Sequence, residues 1–92
     1  MDKETIDGFI RDNYPDLVDD ILLADGFEEA FIGVGKSFAG EPSAVYDRGQ
    51  CLEILAREMT YEEAEECFQF NTEGAYMGPH TPIFAITCTP IK

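Results

Sequence analysis

Hydrophobic and polar positions along this chain change their period several times, and each change marks an element. Between residues 60 and 70, Tyr61, Ala64 and Phe68 recur at helical spacing with Cys67 beside them, while Glu62, Glu63, Glu65, Glu66 and Gln69 fill the other face. Thr60 followed three residues later by Glu63 is a capping box, in which each side chain satisfies a backbone amide of the other residue at the helix start. The next stretch, 72–82, carries Gly74, Gly78, Pro79 and Pro82, which break regular structure, and Ala75, Tyr76 and Met77, which give a compact loop something to bury. Residues 83–88 are apolar on both faces, the pattern of a central strand.

Upstream, Thr5 reads as the N-cap of a short first helix with Ile6, Phe9 and Ile10 on one stripe, closed before Pro15. Pro15 then opens a second helix lined by Leu17, Val18, Ile21 and Leu22, with Asp16, Asp19 and Asp20 facing water and Gly26 as its stop. From Glu28 the period falls to two. Ala30, Ile32 and Val34 share one face of a strand near 28–37, and Phe31, Gly33 and Gly35 share the other, a bare face that invites close backbone approach or a bulge. Gly40 and Pro42 turn the chain into a short partner strand near 43–47. Asp47 and Gln50 form a second capping pair, heading a helix whose Cys51, Leu52, Ile54, Leu55 and Met59 point inward.

These patterns predict a single α+β domain over residues 1–92, in the order α-α-β-β-α-α-β. A small sheet of about three strands, mixed or antiparallel, is covered by four helices, with Leu55 and Phe68 in the core. The short connection makes the first two strands antiparallel, and the partner of the third is open.

Charge alters the picture of the surface. The formal net charge is −13. Residues 1–30 hold ten acids against two bases and residues 51–73 hold seven against one, whereas residues 31–50 cancel. Acidity therefore falls in the predicted helices, leaving the sheet segments nearly neutral. Such a surface repels nucleic acid and anionic membrane and favours basic partners or cations. Seven Phe and four Tyr argue against disorder. Cys51, Cys67 and Cys88 are an odd number with no close pair, which fits a reduced intracellular setting, and no apolar run approaches a membrane span. A cytoplasmic protein is expected.

The segments Ala44-Val45-Tyr46-Asp47, Met59-Thr60-Tyr61-Glu62-Glu63-Ala64, 68–71, Gly74-Ala75-Tyr76 and Thr81-Pro82 together resemble small uncharacterised proteins of tailed bacteriophages and prophages. The resemblance covers roughly residues 27–84 and leaves the acidic N-terminal segment outside. It attaches no activity or site residues. It implies a phage origin in a bacterial host, and small acidic phage proteins are often accessory factors that block a host protein.

Candidate chemistry is sparse. Gly35-Lys36-Ser37 follows an apolar strand, but a phosphate-binding loop needs a glycine five positions before Gly35, where Ala30 stands, and a helix after Ser37. His80 with Cys51 or Cys67 matches a nucleophile and base by residue type alone, and both cysteines lie on apolar stripes. The acidic runs lack the alternating ligands and central glycine of a calcium loop.

No cofactor, metal or catalytic set is therefore expected. The expectation is a non-enzymatic acidic protein that binds and inhibits a basic host protein, such as a nucleic-acid-binding or CRISPR-Cas defence protein. Asp16, Asp19, Asp20, Glu62, Glu65 and Glu66 are its contact carboxylates, with Tyr76 and Met77 as apolar anchors. The alternatives are a small enzyme or ligand-binding domain with a site in the 72–82 loop, or a purely structural interaction protein.

Overall fold

The computed structural model describes residues 2–36, 38, 40–70 and 78–88. Among them lie three α-helices and a three-stranded mixed sheet, so the α+β class holds. In chain order these are α1 (Lys3–Asn13), a 3-10 turn (Glu28–Ala30), β1 (Phe31–Gly35), β2 (Ser43–Asp47), α2 (Arg48–Leu55), α3 (Tyr61–Phe68) and β3 (Ile83–Ala85).

Helix α1 starts earlier than expected. Asp2, not Thr5, is the N-cap: its carboxylate accepts the Thr5 amide at 2.8 Å, and Asp caps at least as well as Thr. The helix ends at Asn13, ahead of Pro15, with Ile6 and Ile10 buried.

The expected second helix is absent. Residues 15–20 wind through turns, with the Leu17 amide donating to Tyr14 and the Asp20 and Ile21 amides to Leu17, and the winding then stops. Tertiary hydrogen bonds explain the stop. The Leu22 amide donates to the His80 carbonyl at 3.4 Å and the Ala24 amide to the Tyr46 hydroxyl at 2.9 Å, so the donors that would extend a helix are engaged elsewhere in the fold. Leu17, Val18 and Ile21 still pack on the core, from a turn rather than a helix.

Strand β1 begins at Phe31 rather than near 28 because Glu28–Ala30 coils into the 3-10 turn, whose i to i+3 spacing buries Phe27 and Ala30 together. It pairs antiparallel with β2, as expected, and the register slips between Phe31 and Gly33 in the bulge that the bare face invited. Gly33, at φ +149°, takes a backbone conformation that side-chain-bearing residues rarely adopt. The slip also overturns the expected faces: Phe31 turns into the core and Ile32 is 54% exposed. At Gly35 an added Cβ would stand 3.0 Å from the Val45 side chain, so the close approach is real.

The third strand is an edge. Sheet order is β1-β2-β3, with β2 central and β3 parallel to it through the pairs Val45–Ile83, Tyr46–Phe84 and Asp47–Ala85. Two parallel strands need a long crossover, and α2 and α3 supply it. Asp47 caps α2 by accepting the Gly49 amide at 3.1 Å, so the cap bond falls there rather than through a box with Gln50. The Thr60–Glu63 capping box forms in full.

Aromatic rings join these layers. Phe9 meets Phe31 edge-on at 6.1 Å, Phe31 meets Tyr46 at 5.7 Å, Tyr46 stacks on Phe84 at 5.6 Å, Phe84 meets Phe68 at 4.9 Å, and Phe68 meets Phe27 at 5.8 Å. One chain of contacts thus runs from α1 across all three strands to α3. Phe68 is fully buried as expected, whereas Leu55 is only half-buried.

Phe68→Ala should therefore cost about 3–5 kcal/mol in urea unfolding, because the cavity falls where three elements meet. Leu55→Ala should cost less than half as much, and equal losses would show the α2 face to be assigned wrongly.

A second variant isolates the Tyr46 hydroxyl, whose ionisation burial pushes above its ordinary value. Because the fold favours the neutral phenol, its contribution is complete below pH of about 10 and is lost as pH rises through the raised folded value. Tyr46→Phe keeps the ring but strands the Ala24 amide, so it should cost about 1–2 kcal/mol at neutral pH. Its alkaline unfolding should also be less steep in pH than that of the wild type.

Candidate functional site

Carboxylates in this fold divide into two groups. The first builds local structure. Asp2 and Asp47 cap α1 and α2, Glu63 completes the capping box of Thr60 on α3, Glu28 accepts the Gly26 amide at 3.1 Å, and Asp7, Asp25 and Glu29 pair with Arg11, Lys3 and Arg57, respectively. Hydrogen bonds from Thr5, from Arg57 and from Thr60 hold the carboxyls of Asp2, Glu29 and Glu63, respectively, below the usual range. All three are exposed, so these bonds are screened and individually weak.

The second group contains the expected contact residues. Asp16, Asp19 and Asp20 are exposed on the turn after α1, not on a helix. Glu62 and Glu66 are exposed one turn apart on α3, and Glu65 beside them is half-buried. Among the described residues none of the six forms an ion pair within 4 Å. Nor does any group of three His, Cys, Asp or Glu among the described residues have the placement to hold a metal ion. The two trios belong to separate elements, and Tyr76 and Met77 lie outside the described residues.

Of the bases, Lys3, Arg11 and Arg57 are in solvent-exposed ion pairs, the Arg48 guanidinium lies 5.6 Å from the centre of the Phe68 ring, and Lys36 is exposed. The net charge of −13 makes the outward field negative.

His80 has a structural partner. Its Nδ1 lies 2.7 Å from the Pro42 carbonyl, which can only accept, so Nδ1 carries the proton. The Ser43 hydroxyl donates to the Pro79 carbonyl at 3.2 Å and Thr81 closes a turn onto the Gly78 carbonyl at 2.7 Å. The described end of the 72–82 loop is thereby fastened to the start of β2. Beside it opens a cleft of about 470 Å³ lined by Gly35, Glu41, Ser43, Gly78 and Thr81 among others, with Glu41 the titratable side chain among the described lining residues. Cys51 is buried in the core, Cys67 half-buried and Cys88 exposed. Gly35 ends β1, and residues 36, 38 and 40 form no helix that would complete a phosphate loop.

A smaller cleft of about 270 Å³ was not anticipated. It lies where α3 begins and β3 ends, with Tyr61 and Ile86 in its walls and Leu52 and Asp47 within it. Tyr61, expected on the packed stripe, is 54% exposed, and Ile86 is 86% exposed. No helix among the described residues is long and apolar enough to cross a membrane. Comparison of the chain with family models, with curated proteins and with solved structures finds no match.

Raising salt at pH 7 from about 20 mM to about 500 mM should raise Tm, because screening relieves repulsion among the unpaired carboxylates more than it weakens the three exposed ion pairs among the described residues. Acid should act in the opposite direction. Asp2, Glu29 and Glu63 have lowered folded pKa values, so their contribution is present above the ordinary carboxylate range near pH 4 and is lost as pH falls through the folded values. Thermal melts over both series check this, and a Tm that falls with added salt would show the pairs to outweigh the repulsion.

Proposed function

We propose that this protein is a non-enzymatic accessory factor of phage or prophage origin that works in the bacterial cytoplasm by docking on, and blocking, a basic surface of a host protein. A nucleic-acid-binding protein, such as a CRISPR-Cas defence component, is the class of target whose surface fits. The observation that carries this reading is the division of charge. Lys3, Arg11 and Arg57 are taken up in exposed ion pairs and Arg48 lies over the Phe68 ring, while Asp16, Asp19, Asp20, Glu62, Glu65 and Glu66 make no ion pair among the described residues. Holding like charges together without internal partners costs stability through self-repulsion, and an external basic partner offsets that cost. Exposed carboxylates of this kind act mainly on the association rate, which falls as salt screens them.

The test is capture of partners from bacterial lysate at low salt, identification by mass spectrometry, and titration of the purified partner. Replacing Glu62, Glu65 and Glu66 by lysine, or Asp16, Asp19 and Asp20 by lysine, should weaken binding at least about tenfold at low salt, with the difference shrinking at high salt. Tm should not fall in either variant. If affinity ignores both reversals and salt as well, the acidity serves solubility alone and this reading is wrong.

A further inference from the structure

We infer that the free edge of β1 is a self-association surface, on which a second copy of this chain pairs antiparallel and continues the sheet. Sheet order β1-β2-β3 leaves β1 and β3 each with one unpaired side. Backbone donors and acceptors along such a side are a template for another strand, and proteins guard them with short strands, proline or charge. β3 is guarded in this way, since it has three residues and directly follows Pro82. β1 has five residues, Phe31–Gly35, with neither proline nor charge. It is bulged, but the residue turned outward there is Ile32, 54% exposed and apolar. Among the described residues only β2 hydrogen-bonds the backbone of residues 32–35.

Charge decides what this edge accepts. In a chain of net charge −13, residues 30–40 hold no acid and one base, Lys36. Lys36 is exposed and makes no ion pair among the described residues. A basic partner is therefore drawn to other faces of the molecule, and the β1 edge is where two acidic copies can approach with little repulsion.

A second copy also supplies what Lys36 lacks. Antiparallel pairing of a strand with itself is isologous, so the same surface serves both copies. About a two-fold axis at Gly33, Ile32 falls opposite Val34 of the second copy, and Lys36 falls opposite its Ala30, in the turn that carries Glu28 and Glu29. Arg57 neutralises Glu29. Glu28 accepts the Gly26 amide but makes no ion pair among the described residues, so its charge is left for Lys36 of the other copy. Symmetry repeats this match on the far side of the axis. Two sheets of three short strands thereby become one of six, a size better able to hold together.

Self-association does not depend on the host partner proposed above, and salt separates the two. Screening should strengthen pairing of two like-charged copies, whereas it weakens docking on a basic surface. The test is sedimentation equilibrium of the intact protein from about 5 µM to about 500 µM, a range suited to a small interface, at low and high salt. Mass should rise from one chain toward two, more readily at high salt. Ile32→Lys enters the interface twice and should weaken association at least about tenfold, with Tm of the dilute protein unchanged because the side chain is exposed. Lys36→Glu should weaken it too, and Ile83→Lys on β3 should leave it intact. In a mixture of nitrogen-15 and carbon-13 labelled copies, contacts between copies should join Ile32 to Val34. A single-chain mass at every concentration and salt overturns the inference. So does a dimer that ignores Ile32→Lys, or one that Ile83→Lys abolishes instead.

Discussion

Tyr46 lies on the central strand, and nearly everything else in the fold is arranged against it. Three strands of three to five residues do not hold together on ladder hydrogen bonds alone. Tyr46 compensates from both ends of its side chain. Its ring lies between Phe31 of one neighbouring strand and Phe84 of the other, and its hydroxyl accepts the Ala24 amide from the segment after α1. A phenylalanine would supply the ring but not the tether. The turn at 15–24, the bulge in β1 and the parallel docking of β3 are all consistent with keeping this one side chain covered and satisfied.

Elements specified by neighbouring residues were legible in the sequence. The Thr60–Glu63 capping box, the Asp47 helix start, the β2 limits at Ser43 and Asp47, and the irregularity that glycines impose on β1 each depend on groups a few positions apart. What could not be read depends on distant partners. Residues 17–22 have a helical stripe, yet His80 and Tyr46 claim the amides at positions 22 and 24. Residues 83–88 read as central because they are apolar throughout, but only three of them join the sheet and Ile83 remains about half exposed. Composition flags an apolar strand without saying how many neighbours it has.

The candidate surface follows the same division. Unpaired carboxylates were visible as runs of Asp and Glu, because their exposure needs no information beyond helical period and charge. Which of them carry a structural role was less visible, since the Arg57–Glu29 pair spans 28 residues. Tyr61 was assigned to the packed stripe by spacing from Ala64 and Phe68. Its place at the very start of α3 leaves it at the mouth of a cleft completed by Ile86. No local pattern connects those two residues, 25 positions apart.

Parallel pairing of β2 with β3 also sets a timetable for the nascent chain. Tyr46 leaves the ribosome 38 residues before the Phe84 ring that stacks on it, an interval of about 2–8 s at bacterial elongation rates of roughly 5–20 residues per second. During that interval α1, β1 and β2 can associate, but one face of Tyr46 and one edge of β2 stay open. A translation stall inside the crossover thus leaves a sticky half-sheet rather than a smaller working unit, and makes such a nascent chain a client for chaperones and proteases.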